Sequence, residues 1–246
     1  METCKNCGRP LIPYKGKCLY CGAEINVPVK TRWYADFVFC IDCSPSMASV
    51  IDSIKENVYF FIKVIEEEVE RIDWRAKVVG FHDTIVFDNP IVFNSGFVSS
   101  LDELRLQLDC VKAEGPVNRQ GCDMVNEPRS ILGAIWQVAK TTEWRRNGER
   151  LLKHVMVLTD APPKPICNDD FKEFGQVIGG QHITLEIWGQ KDPFWEKVSR
   201  IPKSEIEQFT DSNEFYYHKT ASDFGKALNG YISYTLDSEL DDDDIL

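Results

Sequence analysis

The feature that most narrows the fold is an apolar run that leads straight into a cluster of small oxygen-bearing side chains. Phe37-Val38-Phe39-Cys40-Ile41 lacks clean alternation, as a strand does when both of its faces are covered. It ends at Asp42-Cys43-Ser44-Pro45-Ser46, and a long helical pattern follows from Met47. An Asp-x-Ser-x-Ser turn at the carboxyl end of a strand can aim three oxygen ligands at one point. Oxygen donors carrying few charges suit Mg2+, which keeps several waters and wants octahedral geometry. Taken alone, the same turn also reads as a helix cap, with Ser44 or Ser46 satisfying free backbone N–H groups.

The rest of the chain decides between these readings by its order of elements. The pattern predicts a strand over 34–41 and a helix over 47–72, where Val50, Ile54, Val58, Phe61, Ile62 and Ile65 recur at three- and four-residue steps. A strand over 75–81 follows, then two short runs, 85–87 and 90–93, that suit an edge hairpin, where Pro90 is tolerated. Ser99-Ser100-Leu101-Asp102-Glu103 is a capping signal for a helix carrying Leu101, Leu104, Leu108 and Val111. Residues 114–128 are polar and rich in Gly, Pro and Asn, hence a loop, and 130–142 is a helix. A central strand over 153–158 ends at Thr159-Asp160. Beyond a Pro-rich loop come a helix over about 169–178, a strand over 183–188, short helical pieces at 193–198 and 204–208, a strand at 215–218 and a helix over 221–236.

Strands alternating with helices imply an α/β fold: a doubly wound, mostly parallel sheet with helices on both faces, Rossmann-like in layout. In open sheets of this kind ligands bind outside the carboxyl ends of the strands, near the switch in strand order. Asp42 and Asp160 both stand at such ends.

Ahead of this domain, Cys4-Lys5-Asn6-Cys7 and Cys18-Leu19-Tyr20-Cys21 are two Cys-x-x-Cys pairs separated by ten residues. Each pair can turn both thiolates toward one ion, and the two complete a tetrahedral four-sulfur Zn2+ shell of Cys4, Cys7, Cys18 and Cys21. Gly8 and Gly22 follow the second cysteine of each pair and permit the turns that such knuckles need. The stretch between the pairs suits a short hairpin. This module resembles a zinc ribbon, and metal supplies most of the folding energy of so small a unit. A structural clip or protein-docking role is favoured over nucleic-acid recognition. Residues 1–30 are therefore read as the ribbon, with 27–31 containing the linker, 31–236 as the main domain and 237–246 as an acidic tail.

A net charge of −11 argues against a general binder of nucleic acid or anionic membrane, because polyanions repel an acidic surface. With 43% hydrophobic and 27% charged residues, a substantial core is available. No apolar run approaches the roughly 20 residues that a membrane-crossing helix needs, and the N-terminus lacks a signal-peptide apolar segment. The chain is expected to be cytoplasmic. Of nine cysteines, the five outside the ribbon have no regular spacing, so free thiols are expected rather than a disulfide framework.

The order of elements, Asp42-x-Ser44-x-Ser46 after the first strand and Thr159-Asp160 after the fourth resemble the von Willebrand factor A pattern over roughly residues 31–236. The resemblance implies a metal-ion-dependent adhesion site holding Mg2+, with Mn2+ or Ca2+ as substitutes. In that family one loop gives Asp-x-Ser-x-Ser, a second a Thr and a third an Asp. Ser44 and Ser46 would then be direct ligands, while Asp42 and Asp160 would hold coordinated waters and hydroxyls. The second loop departs from the pattern. Where the family often has Thr-x-Leu-Gly-x-Ala, this chain has Ser130-Ile131-Leu132-Gly133-Ala134-Ile135, making Ser130 the candidate ligand. Glu127 is the alternative, Asp123 is a weaker one, and Arg129 beside the site reduces cation affinity by repulsion if it faces the ion.

The implied activity is recognition, not catalysis: the ion leaves one coordination position open for a partner's Asp or Glu, and Asn118, Arg119, Pro162, Pro163 and Lys164 surround it. A Mg2+-dependent phosphatase or phosphotransferase using Asp42 is the competing enzyme reading. Position 44 is Ser where a haloacid dehalogenase-like enzyme wants Asp, and no Gly-rich phosphate loop with an adjoining Lys is present. Cys43 has no histidine placed by sequence to activate it, and His82, His154, His182 and His218 fall in or beside strands. A third reading is a zinc-ribbon scaffold with an empty metal site, since zinc modules joined to this fold occur in transcription, repair and proteasome factors. Intracellular bacterial versions often work beside ATPases, kinases or phosphatases in stress or phage-defence systems. The acidic tail is read as solvated. Its alternative is a docking peptide for a basic partner or for the metal site of another copy, giving self-association.

Overall fold

The computed structural model describes residues 6, 13–14, 17–18, 21, 23, 33–68, 72–82, 91–113, 131–146, 151–163, 167–202 and 204–209. Near the N-terminus, β1 (Pro13–Tyr14) and β2 (Lys17–Cys18) pair antiparallel, with Pro13 opposite Cys18, which is the hairpin expected between the cysteine pairs. The main sheet contains β3 (Trp33–Asp42), β4 (Ile72–Phe81), β5 (Ile91–Asn94), β6 (Leu151–Leu158), β7 (Ile183–Gln190) and β8 (Ser204–Phe209). Its order is β5-β4-β3-β6-β7-β8, with β5 antiparallel on one edge and every other pair parallel. The architecture is α/β with a mixed sheet.

Alternate residues of β3 serve two separate cores. Phe37, Phe39 and Ile41 face α1 (Ile51–Glu68) and α2 (Leu101–Cys110), together with Ala76 and Val78 of β4 and Met156 and Leu158 of β6. Val38 and Cys40 face the opposite core, with α3 (Ile131–Thr141), α4 (Asn168–Gly180) and the one-turn α5 (Trp195–Val198). Both faces of the central strand are therefore covered, which explains its unbroken apolar sequence.

Helix α1 buries Ile51, Ile54, Val58, Phe61, Ile62 and Ile65, one stripe at three- and four-residue steps. Phe61 stands edge-on to Phe37 and Phe39, with ring centroids 5.3 and 5.9 Å away. Removing a fully buried ring of this kind costs about 3–5 kcal/mol, more than any single polar contact on the helix. Helix α2 starts as its capping signal predicts: the Glu103 N–H donates to Ser100 Oγ at 3.3 Å, and Ser100 Oγ donates to Glu103 Oε2 at 3.1 Å. No helix among the described residues is long and apolar enough to cross a membrane.

Two expectations need correction. The helix anticipated over 47–72 is instead a 3-10 turn, Pro45–Ser49, followed by α1, and Ile72 already belongs to β4. Val50 closes the 3-10 turn by donating its N–H to Met47 O, so the chain re-aims before α1 begins. The short helix expected at 204–208 is strand β8, in register with β7 from Leu185 opposite Ser204 to Gln190 opposite Phe209. The hydrogen-bonding edge of β7 recruits this segment, and pairing overrides the weak local preference of six residues. Of the expected edge hairpin, β5 is present and pairs with β4. Residues 85–87, the strand at 215–218, the helix at 221–236 and the acidic tail lie outside the described residues.

The amino ends of the strands are tied by Asp36, which is fully buried. Arg75 Nε and Nη2 donate to its two oxygens at 2.7 and 2.8 Å, and the Arg145 N–H donates at 2.8 Å. Arg75 also lies over the Phe97 ring at 4.0 Å. Among the described residues, every partner of this carboxylate lies at the end of the sheet opposite Asp42.

Candidate functional site

Strand β3 runs by way of α1 to β4 on one side, while β6 lies on its other side, so the strand order switches between β3 and β6. Their carboxyl ends bring together Asp42, Ser44, Ser46, Thr159 and Asp160. The Cys43 N–H donates to Phe81 O at 2.8 Å, which carries the β3–β4 ladder one residue past Asp42. The chain then turns because the Ser44 N–H donates to Asp42 Oδ1 at 2.8 Å, an Asx turn. Pro45 follows as the first residue of the 3-10 turn, a position where its missing N–H costs nothing.

Ser44 is the N-cap residue, yet its side chain makes no cap hydrogen bond. Its hydroxyl instead meets Ser46 Oγ at 2.9 Å, and Ser46 Oγ donates to Asp160 Oδ1 at 3.1 Å. Residues 44, 46 and 160 are thus joined in one chain of oxygens across the switch point.

Thr159 was not singled out as a site residue by the sequence, and it does much of the positioning. Its N–H donates to Trp188 O at 3.0 Å, fixing it to β7, and its hydroxyl donates to Asp42 Oδ2 at 2.7 Å. The same hydroxyl oxygen accepts from the Ala161 N–H at 3.2 Å, which bends the chain after Asp160. A signal was present in the hydroxyl next to Asp160, but a Thr ending a strand is ordinary enough to pass as β-propensity.

Burial divides the cluster into two tiers. Asp42, Ser44 and Thr159 are fully buried, while Ser46 and Asp160 are half-buried. Both oxygens of Asp42 accept hydrogen bonds, and among the described residues no cationic side chain pairs with it. A carboxylate removed from water without a counter-charge is expensive. Among the described residues no three His, Cys, Asp or Glu side chains converge, so the donors are two carboxylates supplemented by hydroxyls. That all-oxygen set, with no sulfur or imidazole, fits a hard cation such as Mg2+.

The candidate middle-loop residues Ser130, Glu127 and Asp123, and their neighbour Arg129, lie outside the described residues. So do Asn118, Arg119 and Lys164. Helix α3 begins at Ile131, immediately after Ser130, and Ile131 is fully buried in the core it shares with Val38 and Cys40. Pro162 is half-buried and Pro163 buried, just beyond Asp160.

At the N-terminus Cys4 and Cys7 lie outside the described residues, and Cys18 is described through its backbone in β2. Cys21 is exposed, and its sulfur accepts from Asn6 Nδ2 at 3.5 Å. Asn6 stands between Cys4 and Cys7 in sequence, so this contact joins a residue of the first Cys-x-x-Cys segment to the last cysteine of the second. An amide donor facing sulfur suits a thiolate ligand.

Three of the four histidines, His82, His154 and His182, lie among the described residues. His154 is buried in β6, its Nε2 3.1 Å from Glu186 Oε2, and the other oxygen of Glu186 accepts from Trp188 Nε1. His82 is buried at the end of β4, and His182 occupies a left-handed turn at φ 55. His218 lies outside the described residues.

No protein-family model matches this sequence, and no curated protein matches it either. The site is therefore read from its own geometry.

Proposed function

We propose that the cluster at Asp42 is a Mg2+ site of the von Willebrand factor A kind, and that the chain is a non-enzymatic protein-binding module. The observation that carries this reading is the fully buried carboxylate of Asp42 at the switch in strand order, unpaired with any cationic side chain among the described residues and linked through Thr159, Ser44 and Ser46 to Asp160. The Ser44 and Ser46 hydroxyls, with Ser130 from the middle loop, would hold the ion, and Asp42 and Asp160 would orient its waters. Bound there, the ion supplies a positive charge with an open position for a partner's Asp or Glu carboxylate. Thr159 holds Asp42 in place, and Pro162 and Pro163 keep the neighbouring loop stiff.

The N-terminal module would be a structural zinc clip of Cys4, Cys7, Cys18 and Cys21. Cys40, Cys110 and Cys167 carry free thiols, which suits a reducing, cytoplasmic setting. A scaffold role within an intracellular multi-protein complex of the stress or defence type follows from the same resemblance.

The test is the metal content of purified protein, wild type against Asp42→Ala, together with capture of Asp-bearing peptides in Mg2+ and in chelator. The expected result is about one tightly held zinc in both proteins, with weaker magnesium and peptide capture in the wild type alone. Steady hydrolysis of a phosphate ester that needs Asp42 would overturn the non-enzymatic reading.

A further inference from the structure

Gly80 of β4 lies opposite Ile41 of β3 and beside Phe93 of β5, where the β4–β5 register shifts. A Cβ on Gly80 would stand 2.7 Å from Cys43 Sγ and 3.1 Å from Phe93 Cβ. The space that a side chain at position 80 would occupy is thus filled by the thiol of Cys43. That thiol is itself pinned. Cys43 is 2% exposed, its backbone N–H donates to Phe81 O at 2.8 Å, and its S–H donates to Ile41 O at 3.5 Å. Cys43 stands between Asp42, whose carboxylate forms the turn, and Ser44, whose hydroxyl belongs to the oxygen cluster.

We propose that Gly80 and Cys43 are a positioning pair that sets the height of the Asp42–Ser46 loop over the sheet and thereby selects Mg2+ over larger cations. This rests on reading the Asp42 cluster as a Mg2+ site. Neither residue touches the ion. The thiol seated against Gly80 lets Cys43 lie flat on β4, and the backbone on either side then places the Asp42 carboxylate and the Ser44 hydroxyl. An added methyl at position 80 meets a sulfur that is anchored on both sides, so the loop moves outward by a few tenths of an ångström. Mg2+ demands near-ideal octahedral geometry at short distances, whereas Ca2+ accepts longer and less regular coordination. A displaced loop therefore penalises the smaller ion.

The experiment is a titration of full-length wild type, Gly80→Ala and the double variant Gly80→Ala/Cys43→Ala with MgCl2 and separately with CaCl2, read by calorimetry. Gly80→Ala should raise the Kd for Mg2+ by about tenfold and that for Ca2+ by no more than about threefold. Removing the sulfur in the double variant should return the Mg2+ affinity to within about threefold of wild type, because the 2.7 Å clash is then gone and only the milder 3.1 Å approach to Phe93 Cβ remains. Equal Mg2+ affinity in wild type and Gly80→Ala overturns the proposal. So does a double variant as weak as the single one, since the effect would then not pass through the thiol. If Gly80→Ala fails to fold, the double variant carries the test, and its failure to fold or to recover the wild-type preference for Mg2+ overturns the proposal. A wild type that binds neither ion removes the metal-site reading itself, a result distinct from the others.

Discussion

Thr159 donates its hydroxyl hydrogen to Asp42 at 2.7 Å across a sequence separation of 117 residues, and both side chains are fully buried. Replacing Thr159 with Val keeps the shape and removes both the donor to Asp42 and the acceptor of the Ala161 N–H. One oxygen of a buried carboxylate is then unsatisfied, at a cost of about 1–3 kcal/mol. Urea unfolding in chelator measures this directly, and an unchanged midpoint would mean that Asp42 does not depend on Thr159.

Cation binding should be visible as stability. At free Mg2+ near a hundred times its Kd, a site present only in the folded state adds about 2.7 kcal/mol to unfolding. Ser46→Ala deletes the hydroxyl between Ser44 and Asp160, so the Mg2+-dependent increment should shrink or vanish. An increment of the same size in that variant at matched Mg2+ would remove Ser46 from the ligand set.

The buried pair at the other end of the sheet makes a prediction independent of metal. Arg75→Ala strips two hydrogen bonds from Asp36 and leaves it the backbone N–H of Arg145 at 2.8 Å and that residue's guanidinium at 3.5 Å. Breaking a buried pair while keeping one charge costs about 3–5 kcal/mol, and the remaining Arg145 contacts put the expectation at the lower end. Chemical denaturation of the variant in chelator checks it. A loss under about 1 kcal/mol would show that Arg145 alone suffices.

Cys40 gives a pH dependence whose sign can be worked out. Burial pushes its thiol from 9.0 up to about 12, against a smaller opposing pull from Lys77. Above pH 9 the unfolded chain releases this proton before the folded chain does, so stability falls as pH climbs from 9 toward 12. Burial lowers the pKa values of Lys77 and Lys153 from 10.5, and their effect is opposite: stability rises as pH passes from the lowered values toward 10.5. Comparing wild type with Cys40→Ala isolates the thiol. The variant should be less stable at neutral pH, because it leaves a cavity, and should lose less stability above pH 9. Parallel pH profiles would count against the buried thiol as the cause.

The site residues were legible in sequence to the extent that they end strands. Asp42 and Asp160 each terminate an apolar run, and a terminated run is visible without coordinates. The strand–helix alternation was legible for the same reason, because β3, β4, β6 and β7 are long and apolar. β8 was not, since its pairing is set by the free edge of β7 rather than by its own six residues. Thr159 and Gly80 were missed for a related reason. Each matters through a neighbour on another strand, Asp42 in one case and Cys43 in the other, and that relation exists only once the register of the sheet is fixed. Asp36 with Arg75 and Arg145 joins three segments that no local pattern connects.

The pairing of β3 with β6 has a consequence for the timing of assembly. Asp42 leaves the ribosome long before Thr159, and at about 5–20 residues per second the interval is on the order of ten seconds. Throughout that interval the nascent chain has the first loop and lacks the residues that hold it. A prematurely terminated chain ending before β6 would therefore carry the Asp-x-Ser-x-Ser sequence without the Thr159 and Asp160 contacts that hold it. The distance between the two strands in the chain makes the joined oxygen cluster a property of the finished molecule.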